Sequence, residues 1–198
     1  MPIVLKPLPQ EDKRRLILDA ARRLLVRRGY QDFVLDELAR EAGVAKGTLF
    51  LYFRSKDELF EAAFADLVDA LGASLAALPR SGLKGRALLV ETVRTILSHF
   101  ERGRDFLGAF GSGRFPGCGD RSGERLLKRM RGNVARLRAV LRRCARDGVV
   151  RPAALDFAPF ALFGLCRSAS LGLGARRRPP LAAKTRDVVA FFLGGAGR

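Results

Sequence analysis

Apolar residues recur along this chain at spacings of three and four nearly throughout, so the sequence predicts a protein made of helices. Leu16, Ile17, Ala20, Ala21, Leu24 and Leu25 form one stripe, which predicts a first helix over Gln10–Arg28, closed by Gly29 as a C′ glycine. Leu35, Leu38 and Ala39 repeat the pattern in a second helix that stops at Gly43. Gly43-Val44-Ala45 reads as a tight turn, the glycine supplying a positive φ and Val44 the apolar plug between two helices. A third helix follows from about Lys46 to Phe53, with Leu49 and Phe53 facing inward. Ser55 and Glu58 have the spacing of a capping box and open a fourth helix. There Phe60, Ala63, Phe64, Leu67, Val68 and Leu71 face inward as far as Pro79.

Beyond the Pro79–Gly85 loop, Leu89, Val93, Ile96, Leu97 and Phe100 predict a helix over Arg86–Arg102, and Phe106, Leu107 and Phe110 a short separate one. The Gly-rich stretch Gly111–Asp120 reads as a loop. From Ser122 to Asp147, Leu126, Met130, Val134, Leu137, Leu141 and Cys144 make a continuous stripe. A helix from near Asp156 to about Leu173 is apolar on nearly every side, as expected of one buried by more than its own domain. Leu181–Leu193 forms the last helix. No internal repeat and no strand pattern is present. The expected fold is all-α: a flexible arm (1–10), an N-terminal three-helix helix-turn-helix domain (1–55) and a C-terminal helical domain (56–198) for ligand binding and dimerisation.

Composition narrows the function classes. A content of 48% hydrophobic and 29% charged residues over 198 positions is that of a soluble globular protein able to bury a core. No uninterrupted apolar run reaches the roughly 18 residues of a membrane span, and the N-terminus has no signal-peptide core, so a cytoplasmic protein with no membrane partner is expected. Cys118, Cys144 and Cys166 are odd in number and far apart, which argues against a disulfide framework or a zinc site. With one His there is no catalytic triad and no His-Glu metal motif. No enzyme, metal or cofactor is expected.

The net charge of +17 favours polyanions through counterion release, without regard to sequence. It is unevenly spread. Residues 1–60 hold 12 Lys and Arg against 9 Asp and Glu, whereas residues 61–198 hold 25 against 11. A sequence-tolerant coating protein for DNA or RNA, or a basic helical module for anionic lipids, therefore stays open beside a sequence-reading regulator.

The third helix carries the sharpest chemistry. With Leu49 and Phe53 inward, its outer face presents Lys46, Gly47, Thr48, Phe50 and Tyr52. A lysine, a small residue, a hydroxyl and two aromatics suit a DNA groove better than solvent. Lys56, in the first turn of the next helix, opposes the helix dipole unless a phosphate arrives beside it. Arg14, near the start of the first helix, either reaches a phosphate or is solvated.

The stretch Gly29–Phe60, "GYQDFVLDELAREAGVAKGTLFLYFRSKDELF", strongly resembles the DNA-binding signature of the TetR family of bacterial repressors. The shared positions are Gly29, Leu38-Ala39, Ala42-Gly43-Val44, Lys46-Gly47-Thr48-Leu49, Tyr52-Phe53, Ser55-Lys56 and Glu58-Leu59. The resemblance implies a homodimer on palindromic double-stranded DNA, its reading helices roughly 34–36 Å or more apart. It further implies Lys46 and Gly47 at base edges, Phe50 on a thymine methyl, and Thr48, Tyr52 and Lys56 on phosphates. A small-molecule effector would release this repressor from DNA. Departures from the family pattern are Phe33-Val34 in place of two Thr, Ala45 in place of Ser and Phe50 in place of Tyr. Each lacks a hydroxyl able to cap a helix or bind a phosphate, so DNA binding is expected to lean more on charge.

For the effector, the family's pocket implies walls among Leu97, Phe100, Phe106, Phe110, Met130, Val134 and Phe163, residues that equally suit plain core. The last two helices imply a dimer interface through Phe160, Gly164, Ser168, Leu171, Val188 and Phe192. His99 either titrates near neutral pH or is merely solvated. Cys118, between Arg114 and Arg121, is either a redox-sensitive thiolate or inert. The ligand, the operator and the regulated genes are not written in the sequence.

Overall fold

The computed structural model describes residues 9–28, 32–110, 121–171 and 180–197. Among them, eight α-helices follow one another: α1 (Gln10–Arg28), α2 (Leu35–Ala42), α3 (Lys46–Tyr52), α4 (Lys56–Ala77), α5 (Gly85–Phe110), α6 (Arg121–Arg146), α7 (Ala158–Leu171) and α8 (Thr185–Ala196). Short 3-10 turns lie at Leu78–Arg80, Pro152–Ala154 and Leu181–Lys184. Among the described residues the backbone forms no strand, only an isolated antiparallel bridge between Val150 and Gly197. The architecture is all-helical, as the spacing predicts.

The chain divides into two compact units, Met1–Phe64 with Asp105–Cys118, and Ala65–Arg104 with Gly119–Arg198. The division falls inside α4, whereas the sequence places a boundary just before that helix.

In the first unit, α1 buries Ile17, Leu18, Ala20, Ala21, Leu24 and Leu25. Leu16, expected in this stripe, is 41% exposed, because Leu18 rather than Leu16 shares a face with Ala21 and Leu25 at i, i+3 and i+7. Leu38, Leu49, Phe53 and Phe33 close the small core. Gly43, at φ 67°, ends α2 in a Schellman motif: Val44 N–H donates to the Ala39 carbonyl and Gly43 N–H to that of Arg40.

α5, which begins in the second unit, runs unbroken to Phe110, where the sequence suggests a break after Arg102. Gly103 lies inside it, at a cost of about 1 kcal/mol relative to Ala, too little to end a helix. Along α6 burial is continuous only in the second half, through Leu137, Val140, Leu141 and Cys144. In the first half Leu126 is buried, but Leu127 and Met130 are 51% and 40% exposed. A second Schellman turn at Gly148 closes α6, with Val149 N–H on the Cys144 carbonyl. Among the described residues, α4 with its following turn (Lys56–Arg80) is long and apolar enough, by length and composition alone, to cross a membrane. Its Leu59, Phe60, Ala63, Phe64, Leu71 and Leu75 are buried within the protein.

Candidate nucleic-acid interface

The N-terminal unit presents α3 on two fixed points. Leu49 is fully buried and Phe53, which follows the helix, is 2% exposed. The opposite face is open. Lys46 and Gly47 are exposed, Phe50 is 42% exposed, and Thr48 and Tyr52 are half-buried. Leu51, which the sequence reading passes over, is 84% exposed between the two aromatics. In a 3.6-residue helix it stands beside Gly47 and Thr48, at i−4 and i−3, both already on the outward face, a signal the period alone carries.

Both helices of the motif start without a side-chain cap. Val34 is the N-cap of α2 and Ala45 that of α3, each in extended conformation and neither able to bond the free amides. α4 is capped differently: Glu58 N–H donates to Ser55 Oγ at 3.1 Å, while Glu58 Oε2 accepts from Arg54 N–H at 2.8 Å. A full capping box would return the glutamate to the Ser55 amide; here it reaches one residue further back.

The expected phosphate-binding cations rest on aromatic rings. The Lys56 ammonium lies 5.5 Å from the centroid of Phe33, and the Arg14 guanidinium 5.5 Å from that of Phe53. Such a cation–π contact is worth about 0.5–1 kcal/mol at a partly exposed site and restricts where the cation can go. Partial burial lowers the Lys56 pKa from its ordinary value, partly opposed by Asp57 and Asp32. Phe33, a departure from the family pattern, thus removes a hydroxyl but supplies a platform. Ion pairs join the helices: Arg23 and Arg27 of α1 hold Glu41 of α2, Arg28 meets Glu37 at 3.4 Å, and Lys46 meets Asp36 at 2.7 Å.

The expected effector residues are scattered in exposure. Leu97 and Phe100 are buried, and the Phe100 ring meets Phe163 edge-on, 5.5 Å between centroids at 75°. Val134 and Phe163 are half-buried, but Met130 is turned to the surface. Phe106 and Phe110 fall on α5, their side chains outside the described residues. His99 Nε2 lies 3.0 Å from Ser74 Oγ, and burial, with the Arg102 charge, lowers its pKa to about 4. It is therefore neutral at neutral pH rather than titrating there. Cys118 lies outside the described residues. Cys144 and Cys166 are buried, which pushes their thiols up to about 11 and about 12 and keeps them protonated.

Of the expected dimer residues, Phe160, Gly164 and Ser168 are exposed, and the Leu171 side chain lies outside the described residues. Val188 and Phe192, 7% and 3% exposed, instead belong to the core of their own chain. The outer side of α8 carries Phe191, 74% exposed, and Phe157, just before α7, is 72% exposed. The two adjacent phenylalanines of α8 point to opposite environments, which an undifferentiated apolar run conceals.

The family model of the bacterial regulatory proteins of the tetR family matches residues 17–63, from α1 into α4. The HTH-type transcriptional regulator YhgD of Bacillus subtilis is 39% identical over 57 residues, 29% of this chain and 30% of that protein. The chain thus spans less than a third of the length of that curated relative. Likeness in fold extends much further. The fatty acid degradation regulator FadR of Bacillus halodurans superposes with a TM-score of 0.78 over 96% of this chain and 98% of its own, at 19% identity. FadR of Bacillus subtilis, solved in complex with stearoyl-CoA, gives 0.75 over 91% and 98%, at 17% identity. The stretch from α1 into α4 is thus similar to the tetR family of bacterial regulatory proteins, and the helical fold of those solved structures extends through the second unit.

Proposed function

We propose that the protein is a homodimeric, cytoplasmic transcriptional repressor that binds a palindromic operator and leaves it when a small molecule binds the second unit. The observation that carries this reading is the outer face of α3, where Lys46, Gly47, Phe50 and Leu51 stand exposed on a helix anchored by Leu49. Lys46 and Gly47 approach base edges, and Phe50 and Leu51 offer apolar surface to thymine methyls. Thr48, Tyr52, Lys56 and Arg14 fix the register on phosphates. Because Gly47 would meet nothing within 4 Å if it carried a Cβ, its value lies in close approach to a partner outside the chain.

Dimerisation is supported by Phe157, Phe160 and Phe191, large apolar side chains left open on and beside the last two helices. Effector control follows from population shift: a ligand that fits only one arrangement of the dimer withdraws it from DNA. Stearoyl-CoA, the ligand of the structurally similar FadR, is the first compound to screen.

The test is selection of bound duplexes from a random library at about 150 mM salt, where non-specific binding is already weakened. A palindromic consensus, lost in Lys46→Ala/Tyr52→Phe, is expected. Enrichment without consensus would replace this reading with the charge-driven coating protein.

A further inference from the structure

Within the second unit, α4 and α6 leave an open groove of about 350 Å³, lined by Asp69, Arg125, Lys128, Arg129, Gly132 and Arg136. Arg125, Arg129, Gly132 and Arg136 fall at i, i+4, i+7 and i+11, one face of α6. Against these cations the groove sets one carboxylate, Asp69, engaged by Arg129. The whole of α6 carries nine Arg and one Lys and a single acid, Glu124.

Two features separate this groove from the solvated face of a basic helix. First, Arg136 is held. Its Nη1 donates to Asn133 Oδ1 at 3.2 Å, and Asn133, only 3% exposed, donates from Nδ2 to the Val68 carbonyl of α4 at 2.7 Å. A guanidinium fixed by a buried amide loses less freedom when it takes up a ligand. Second, the helices meet on glycine. A Cβ on Gly72 of α4 would lie 2.5 Å from Asn133 Oδ1 of α6, whereas one on Gly132 would lie 3.0 Å from Arg136 Nη1 of its own helix.

We propose that this groove binds a small anion bearing two or more phosphate groups, with Arg125, Lys128 and Arg136 taking phosphate oxygens. It would receive the charged end of the effector, and in that respect it rests on the ligand-controlled reading above. Several cations in an open, wet site gain little from a single carboxylate, whereas adjacent phosphates engage guanidinium forks in parallel. Asp69 stands among the cations, where it repels a continuous phosphate backbone more than a compact anion that lies to one side. This favours a small ligand over nucleic acid.

Calorimetric titration of the full chain with sodium tripolyphosphate, without DNA, tests the site. Lys128→Gln/Arg136→Gln is compared with Arg142→Gln/Arg146→Gln, which removes the same charge from exposed positions of α6 outside the groove. The groove variant is expected to weaken binding by about tenfold or more for each cation lost, from charge-assisted hydrogen bonds of roughly 1.5–3 kcal/mol. The control variant should stay within about threefold of wild type. No binding by wild type, or equal weakening in both variants, overturns the site. A short duplex of arbitrary sequence that competes through Lys128 and Arg136 would make the groove a nucleic-acid surface instead. Failure to select an operator leaves the titration standing, whereas an anion that binds here without releasing a selected operator removes the effector role alone.

Discussion

Lys46 reaches from the first turn of α3 to Asp36 in the first turn of α2, its Nζ 2.7 Å from Oδ1 and 3.0 Å from Oδ2. The side chain proposed to meet a base edge is thus engaged before DNA arrives, by a carboxylate that a phosphate backbone repels. Both partners are mostly solvent-exposed, so the pair adds no more than about 1 kcal/mol. Asp36→Asn is expected to raise affinity for a selected duplex by up to about fivefold, the equivalent of that energy. Unfolding stability should change by less than about 0.5 kcal/mol. Fluorescence anisotropy and urea titration check the two halves; a loss of affinity would mean that Asp36 orients Lys46 for the base.

The uncapped starts of α2 and α3 make a second case. Val34→Thr and Ala45→Ser each restore a hydroxyl at an N-cap already in extended conformation. Each should add about 1 kcal/mol to the stability of the N-terminal unit. Because a hydroxyl adds an uncharged bond, the plot of log affinity against log salt should shift upward in parallel, with its slope unchanged.

His99 makes stability depend on acid. Its folded pKa is about 4 and its ordinary value 6.5, so between these limits the unfolded chain binds the extra proton. The contribution is fully present above pH 6.5 and is lost as pH falls toward 4. Urea midpoints measured from pH 7 to pH 4.5 should fall in the wild type and fall less steeply in His99→Gln. DNA binding between pH 7 and 8 should be the same in both, since His99 stays neutral there.

Phe191 and Phe192 separate assembly from folding. Phe191→Asp, at a 74% exposed position, should move the proposed dimer toward monomer in sedimentation while helical content is kept. Phe192→Ala, at a position 3% exposed, should destabilise the chain by about 3–5 kcal/mol.

Two glycines near the same arginine should respond differently. Gly72→Ala puts a methyl 2.5 Å from Asn133 Oδ1, an amide held by two bonds, and overpacking of that kind costs about 1–3 kcal/mol. Gly132→Ala meets only the Arg136 Nη1 at 3.0 Å, the far end of a long side chain that can give by a few tenths of an ångström, and should be neutral or stabilising by up to about 1 kcal/mol. Thermal melts of the two variants give the comparison directly.

Periodicity made the helices and the reading head legible, because Leu38, Ala39, Leu49 and Phe53 have one buried face and the turn between them needs Gly43. The second unit was harder to read. An apolar run such as Val188–Leu193 does not say which phenylalanine faces inward; that depends on the neighbouring helices. Asn133 was invisible for a different reason. A buried amide looks like a surface residue until its partners, Val68 and Arg136, are in place. The cation–π seat of Lys56 on Phe33 likewise joins residues far apart in the chain, and no spacing rule announces it.

The buried amide of Asn133 also bears on how α4 and α6 can move. Its Nδ2 bond to the Val68 carbonyl crosses from α6 to α4 and opposes gradual sliding, since a shift of an ångström would part that donor from its acceptor, while the bond from Arg136 stays within α6. The joint between these helices therefore behaves as a latch: they travel as one piece, or they part in a single step. Any signal that crosses it would be digital in character, set by whether the latch holds and not by how far it bends.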